Sequence, residues 1–260
     1  MMKLSRPSLN LLKNHKRLVI ITVCAFVVVA LLGYAAWSKH QWNEYQPSYR
    51  THQAAIQASL DALTSRPVTT ATDKAKVRTD LAEVSRQIDA RSKKDCQVSP
   101  LVAWQVTMVK SLQQEQDQCR AQMAKVTALN EPLKRIVAFL GTDEAVAKEF
   151  AKLSSADELA DTAWQGQLDS WQSINQAIQK QSVARDYAPI QKLAIEQTDA
   201  VAAAWRAIIA AHGAKDKQAF TNAQAGLGQA YDELDTISIE TNKVAAELAK
   251  AVEVKYRAAF

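Results

Sequence analysis

Apolar side chains along this chain recur at spacings of three and four almost everywhere outside one continuous run. Val77, Leu81, Val84 and Ile88 step by four, three and four, which is one stripe of a helix and not the alternation of a strand face. Ile56, Leu60 and Leu63 repeat the pattern upstream, and Pro67 predicts its end. Val109, Leu112, Gln116, Cys119, Met123 and Val126 continue it with a polar interruption. Asn130-Glu131-Pro132 then predicts a cap and restart, because proline suits a helix's first turn, and Gly141 predicts a stop. Thr142 with Asp143 and Glu144, and Ser155 with Glu158, predict two further N-termini, the second as a capping box. Trp164, Leu168, Trp171 and Ile178 share a face, with Asp169, Gln172 and Gln176 opposite. The next stripe is Ile190, Ala194, Gln197, Val201, Ala204 and Ile208, with Gly213 as its C-cap. From Lys215 to Tyr256, Phe220, Leu227, Tyr231, Leu234, Thr241, Val244, Leu248 and Val252 predict one long helix. It would reach about 60 Å if unbroken, with Gly226 and Gly228 as its weakest point.

This spacing predicts an all-α fold: an elongated antiparallel helical bundle with coiled-coil-like seams. It occupies residues 38–260, as one domain or as two abutting sub-bundles over about 45–140 and 143–260. A faint internal echo, Tyr45-Gln46-Pro47 against Tyr187-Ala188-Pro189 and Asp73-Lys74 against Asp216-Lys217, fits either a duplicated hairpin or convergent periodicity.

The exception to the periodicity is Leu18 to Trp37, twenty residues without a charge. As a helix it would be about 30 Å long, the thickness of a bilayer's hydrocarbon core, so residues 18–37 are expected to be a single transmembrane helix. A cleaved secretion signal, with Gly33-Tyr34-Ala35 as the cut site and a secreted helical protein as the product, is the alternative. Lys3, Arg6, Lys13, Lys16 and Arg17 precede the run with no acid among them, which predicts a cytoplasmic segment over 1–17 and an outward-facing C-terminal domain. The lipid bilayer is therefore one expected partner. Those five basic residues also account for the whole net charge of +5, so the folded domain has no basic bias and nucleic acid is not expected.

Cys96 and Cys119 would both lie outside, where disulfides persist. A helix starting at Pro100 would carry Cys119 too far from Cys96, so the bond requires Gln97 to Val109 to be at least partly a returning loop.

The chemical inventory is sparse. Gly226-Leu227-Gly228 lacks the third glycine of a dinucleotide loop, and no phosphate loop, zinc-hydrolase pair or Glu-x-x-His pair is present. No nucleophile, base and orienter can be assembled, so catalytic residues, cofactors and metals are not expected. His212 precedes Gly213 at a helix end, where an imidazole suits the dipole, and His52 reads as a core or rim residue. Trp164 and Trp171 are the candidate recognition aromatics, with bundle core as the competing role.

The expected function is accordingly a membrane-anchored structural or assembly protein of the cell envelope, binding a protein partner or itself through its helices. The alternative is a ligand-binding module, whose architecture resembles the helical sensory domains of chemoreceptors and sensor kinases without sharing a motif. With 17 residues inside, such a sensor would signal through another chain.

Overall fold

The computed structural model describes residues 50–62, 71–92, 110–153 and 163–260, together with Val29, Ala30, Gly33, Ala36, Trp37, His40 and Cys96. Most of the 18–37 run, the Ser155 capping box and Pro67 fall outside these. Among the described residues the fold is all-α, and no helix is long and apolar enough to cross a membrane. The helices are α1 (50–62), α2 (Ala71–Ser92), α3 (Lys110–Phe150), α4 (Trp164–Lys180), α5 (Ala188–Gly213), α6 (Lys217–Glu233) and α7 (Asp235–Ala259). One turn of 3-10 helix, Arg185–Tyr187, precedes α5.

The chain divides into two compact units, Met1–Ala55 with Lys93–Ala124, and Ile56–Ser92 with Lys125–Phe260. Helix α3 runs unbroken from Lys110 to Phe150, through the boundary at Ala124. In the first unit Cys96 and Cys119 are joined by a disulfide with Cα atoms 5.8 Å apart, and both are buried. The bond closes a separation of 23 residues, worth about 3 kcal/mol of chain entropy in the unfolded state. Helix α3 is described from Lys110, while residues 97–109 lie outside the described ones.

The predicted cap at Asn130-Glu131-Pro132 and the stop at Gly141 are both absent, since α3 is one 41-residue helix with Pro132 inside it. An interior proline costs about 3 kcal/mol, and packing on both sides offsets it. Leu129 and Leu133 are fully buried, and Asn130 donates to Asp89 Oδ1 at 2.7 Å while accepting from Ser85 Oγ at 2.6 Å. Thr142 is not a cap either. Its hydroxyl donates to Ala138 O and accepts from Ala184 N at 3.1 Å, tying α3 to the chain just before the 3-10 turn. Gly141 lies beside Arg78, which reaches Glu144 at 3.1 Å.

The second unit contains two apolar cores. One gathers Leu81, Val84 and Ile88 of α2, Leu129, Leu133 and Phe139 of α3, Ile174 and Ile178 of α4, Ile190 and Ala194 of α5, and Ile237 and Leu248 of α7. The other gathers Trp164, Leu168 and Trp171 of α4, Val201, Trp205 and Ile208 of α5, and Leu227 and Ala230 of α6. Helices α4 to α6 are therefore successive antiparallel neighbours. The last helix is broken at Leu234 and not at its glycines: Gly226 and Gly228 face open space, whereas Leu234 packs against both cores. Tightened bonds from Leu234 N to Tyr231 O and from Ile237 N to Leu234 O turn the apolar stripe from one core to the other.

The buried face of α5 is also rotated from its expected position. Thr198, Ala202, Trp205 and Ala211 are buried beside Ile190, Ala194, Val201 and Ile208, while Gln197 and Ala204 are only half-buried. Lys215, not Gly213, takes the left-handed conformation that ends the helix, with φ 55°. Asp216 then caps α6, accepting from Gln218 N at 3.0 Å and Ala219 N at 2.9 Å.

Arg135 of α3 grips Asp186 with two bonds of 3.0 and 2.6 Å, holding the 3-10 turn on α3. The guanidinium bond lowers the Asp186 carboxyl from its ordinary 3.8. A depressed carboxylate contributes stability above its unfolded pKa and loses it as pH falls through the folded value. Asp186→Asn should therefore destabilise the domain by about 1 kcal/mol near pH 6, since Arg135 is half-exposed, and the gap from wild type should close in urea titrations as pH falls below the ordinary 3.8 and through the depressed folded value.

Candidate functional site

The two candidate aromatics lie on α4 because Trp164, Leu168 and Trp171 recur at four and three, on the side of the helix that meets α5 and α6. Both are interior: Trp164 is 8% exposed and Trp171 3%. Trp171 stands edge-on to Tyr231 with ring centroids 5.8 Å apart, and to Phe150 at 6.4 Å. Trp164 stands edge-on to His212 at 5.0 Å and lies tilted against Phe220 at 5.6 Å. Trp205 completes the cluster, donating its indole N–H to Tyr231 Oη at 3.2 Å. By contrast the indole N–H groups of Trp164 and Trp171 are buried without an acceptor. Each costs about 1–3 kcal/mol where water cannot reach it.

The sequence stripe did not include Trp205, His212 and Phe220 in this assembly. Trp205 follows Val201 by four and precedes Ile208 by three, so the signal was present one position from Ala204, the residue assigned to that face. His212 and Phe220 meet only because the chain reverses at Lys215.

That reversal also forms a cleft of about 470 Å³ lined by His212, Lys215, Asp216, Lys217, Phe220 and Thr221. A smaller hollow of about 220 Å³ is bounded by Leu60, Val77, Leu81, Ile136, Val252 and Tyr256. At its rim the Tyr256 hydroxyl donates to Asp61.

Elsewhere the buried polar groups are organised for packing. Asn175 donates to Thr198 Oγ1 and Ile195 O, both at 2.8 Å, and accepts from Gln179 at 2.6 Å. Burial raises the Tyr187 phenol above its ordinary 10.0, helped by neighbouring Asp143, so it stays protonated. The chain Ser85–Asn130–Asp89 has the order of a relay but not its chemistry, since an amide oxygen is no base for a hydroxyl proton. Among the described residues no group of three or more His, Cys, Asp or Glu is placed to hold a metal ion.

No family model, curated protein or solved structure matches this chain.

The burial of Trp171 gives a direct expectation. Trp171→Ala should cost about 3–5 kcal/mol by emptying a packed site between Phe150 and Tyr231, read as a fall in the denaturation midpoint. An unchanged midpoint would mean the ring is not a core element.

Proposed function

We propose that this protein is a membrane-anchored helical scaffold whose bundle stands outside the cytoplasm and contacts a partner protein of the cell envelope. The anchor rests on the uncharged run over 18–37 and its basic N-terminal flank. A disulfide between Cys96 and Cys119 suits the oxidising side of a membrane.

The observation that carries the partner reading is where the exposed apolar side chains lie. With Trp164 and Trp171 interior, the large apolar groups left to solvent beyond Trp37 among the described residues are Tyr231 on α6 and Ile239 and Val254 on α7, the last two 62% and 58% exposed. Ile239 and Val254 are fifteen residues apart and on one side of α7, separated by about 22 Å. Exposed Ala246 lies between them, flanked by Lys243 and Lys250. Lys243 is paired with Glu240, and exposed Glu247 and Glu253 adjoin Ala246 and Val254, so an apolar line edged by both charges complements an amphipathic partner helix with mixed-charge flanks.

A second reading, a ligand-binding module that acts through a partner chain, is favoured by the cleft where α5 turns into α6.

The test uses the full chain in its native membrane. After an alkaline wash the protein should remain with the membrane, and a photo-crosslinking residue at the exposed position 246 should capture a stoichiometric neighbour that one at Asp199 does not. Ile239→Lys with Val254→Lys should abolish that capture and leave the melting temperature within about 2 °C, as exposed substitutions do. Release by the wash, or equal capture from both positions, would contradict the reading.

A further inference from the structure

We propose that the cleft between the end of α5 and the start of α6 is a binding site for a small aromatic carboxylate. The proposal rests on the ligand-binding reading, and it leaves the partner face on α7 untouched. Size is the first argument. At about 470 Å³ the cleft falls within the usual range of ligand pockets, roughly 300–1,000 Å³, while the apolar hollow at about 220 Å³ falls below it.

Charge is the second. Lys215 and Lys217 line the cleft, and neither ammonium group is paired with a carboxylate among the described residues. Asp216, the one acid of the wall among the described residues, is already engaged by the amides of Gln218 and Ala219. The start of α6 is thus satisfied by its own cap, and attraction for an anion falls to the two lysines. Both are free to close on a carboxylate as point charges.

Aromatic surface is the third. The rings of Phe220 and His212 are 6.2 Å apart and tilted by 55°, two walls against which a flat ring can lie. Trp164 backs both walls, and its indole N–H is more than nine-tenths buried with no acceptor. A carboxylate complements the two ammonium groups, and an attached ring supplies the area that the walls offer.

The experiment follows the indole resonance of Trp164 in the full chain, held in nanodiscs and assigned by its loss in Trp164→Phe. Phenylacetate and its neutral isostere phenylacetamide are the two probes. Phenylacetate should shift the resonance saturably with Kd below about 1 mM, weakening as salt is raised, and phenylacetamide should bind at least about tenfold more weakly. Lys217→Gln with Lys215→Gly should weaken phenylacetate by about tenfold or more; glycine accepts φ 55°, so the second change removes the ammonium without straining the turn. Equal binding of both probes, or phenylacetate binding unaltered in the double variant, would overturn the carboxylate assignment and leave a neutral-ligand site standing. Silence towards both probes would overturn the site and the ligand-binding reading together.

Discussion

One buried amide governs how the helices of the second unit meet. Asn175 of α4 sits between the two apolar cores, with Ile174 and Ile178 on one side and Trp171 on the other, and it donates to both Thr198 Oγ1 and Ile195 O on α5. Apolar stripes tolerate sliding, because one ridge of alanines and isoleucines resembles the next. A buried amide does not, since moving it by one turn strands its donors at a cost of about 1–3 kcal/mol. The pair therefore contributes register more than strength, and its neighbours reinforce it: Gln179 bonds Asn175, and Gln191 reaches Ile178 O and Gln181 O across the same helices.

Much follows from that register. It sets Trp164 beside His212 and Phe220 at one end, and at the other it brings Tyr187 against Phe139 at 5.3 Å and Asp186 to Arg135. The kink at Leu234 belongs to the same arrangement, because a single straight helix could not present Leu227 and Ala230 to the aromatic core and Ile237 to the other. The aromatic cleft and the apolar line on α7 are then consequences of one packing solution, the first where α5 reverses and the second where α7 outruns what the core can cover.

The local rules that read correctly from sequence are those satisfied within one helix. The face of Trp164, Leu168, Trp171 and Ile178 needed no knowledge of neighbours. The misreadings share the opposite character. Pro132 and Gly141 are breakers by propensity, and α2 overrides them through Ser85, Asp89 and Arg78. Gly226 and Gly228 looked weak, yet no packing strain falls there, whereas Leu234 has no breaker chemistry and bends because two cores pull on it. On α5 the expected face was centred between Gln197 and Ala204, and the true one includes Thr198 and Trp205, because Asn175 and Tyr231 wait there as partners. The cleft was illegible for the same reason, since it requires the left-handed Lys215 and ring contacts between three helices.

The claim that the Asn175–Thr198 pair fixes register is tested most directly by replacing both with apolar residues of similar size, Asn175→Leu with Thr198→Val, and recording the indole N–H spectrum together with urea stability. Register specificity predicts a folded domain whose stability is within about 1 kcal/mol of wild type or above it, with the Trp164, Trp171 and Trp205 signals broadened or doubled as α4 samples more than one position on α5. Single sharp indole signals at their wild-type positions, whatever the stability, would show that apolar packing alone sets the register.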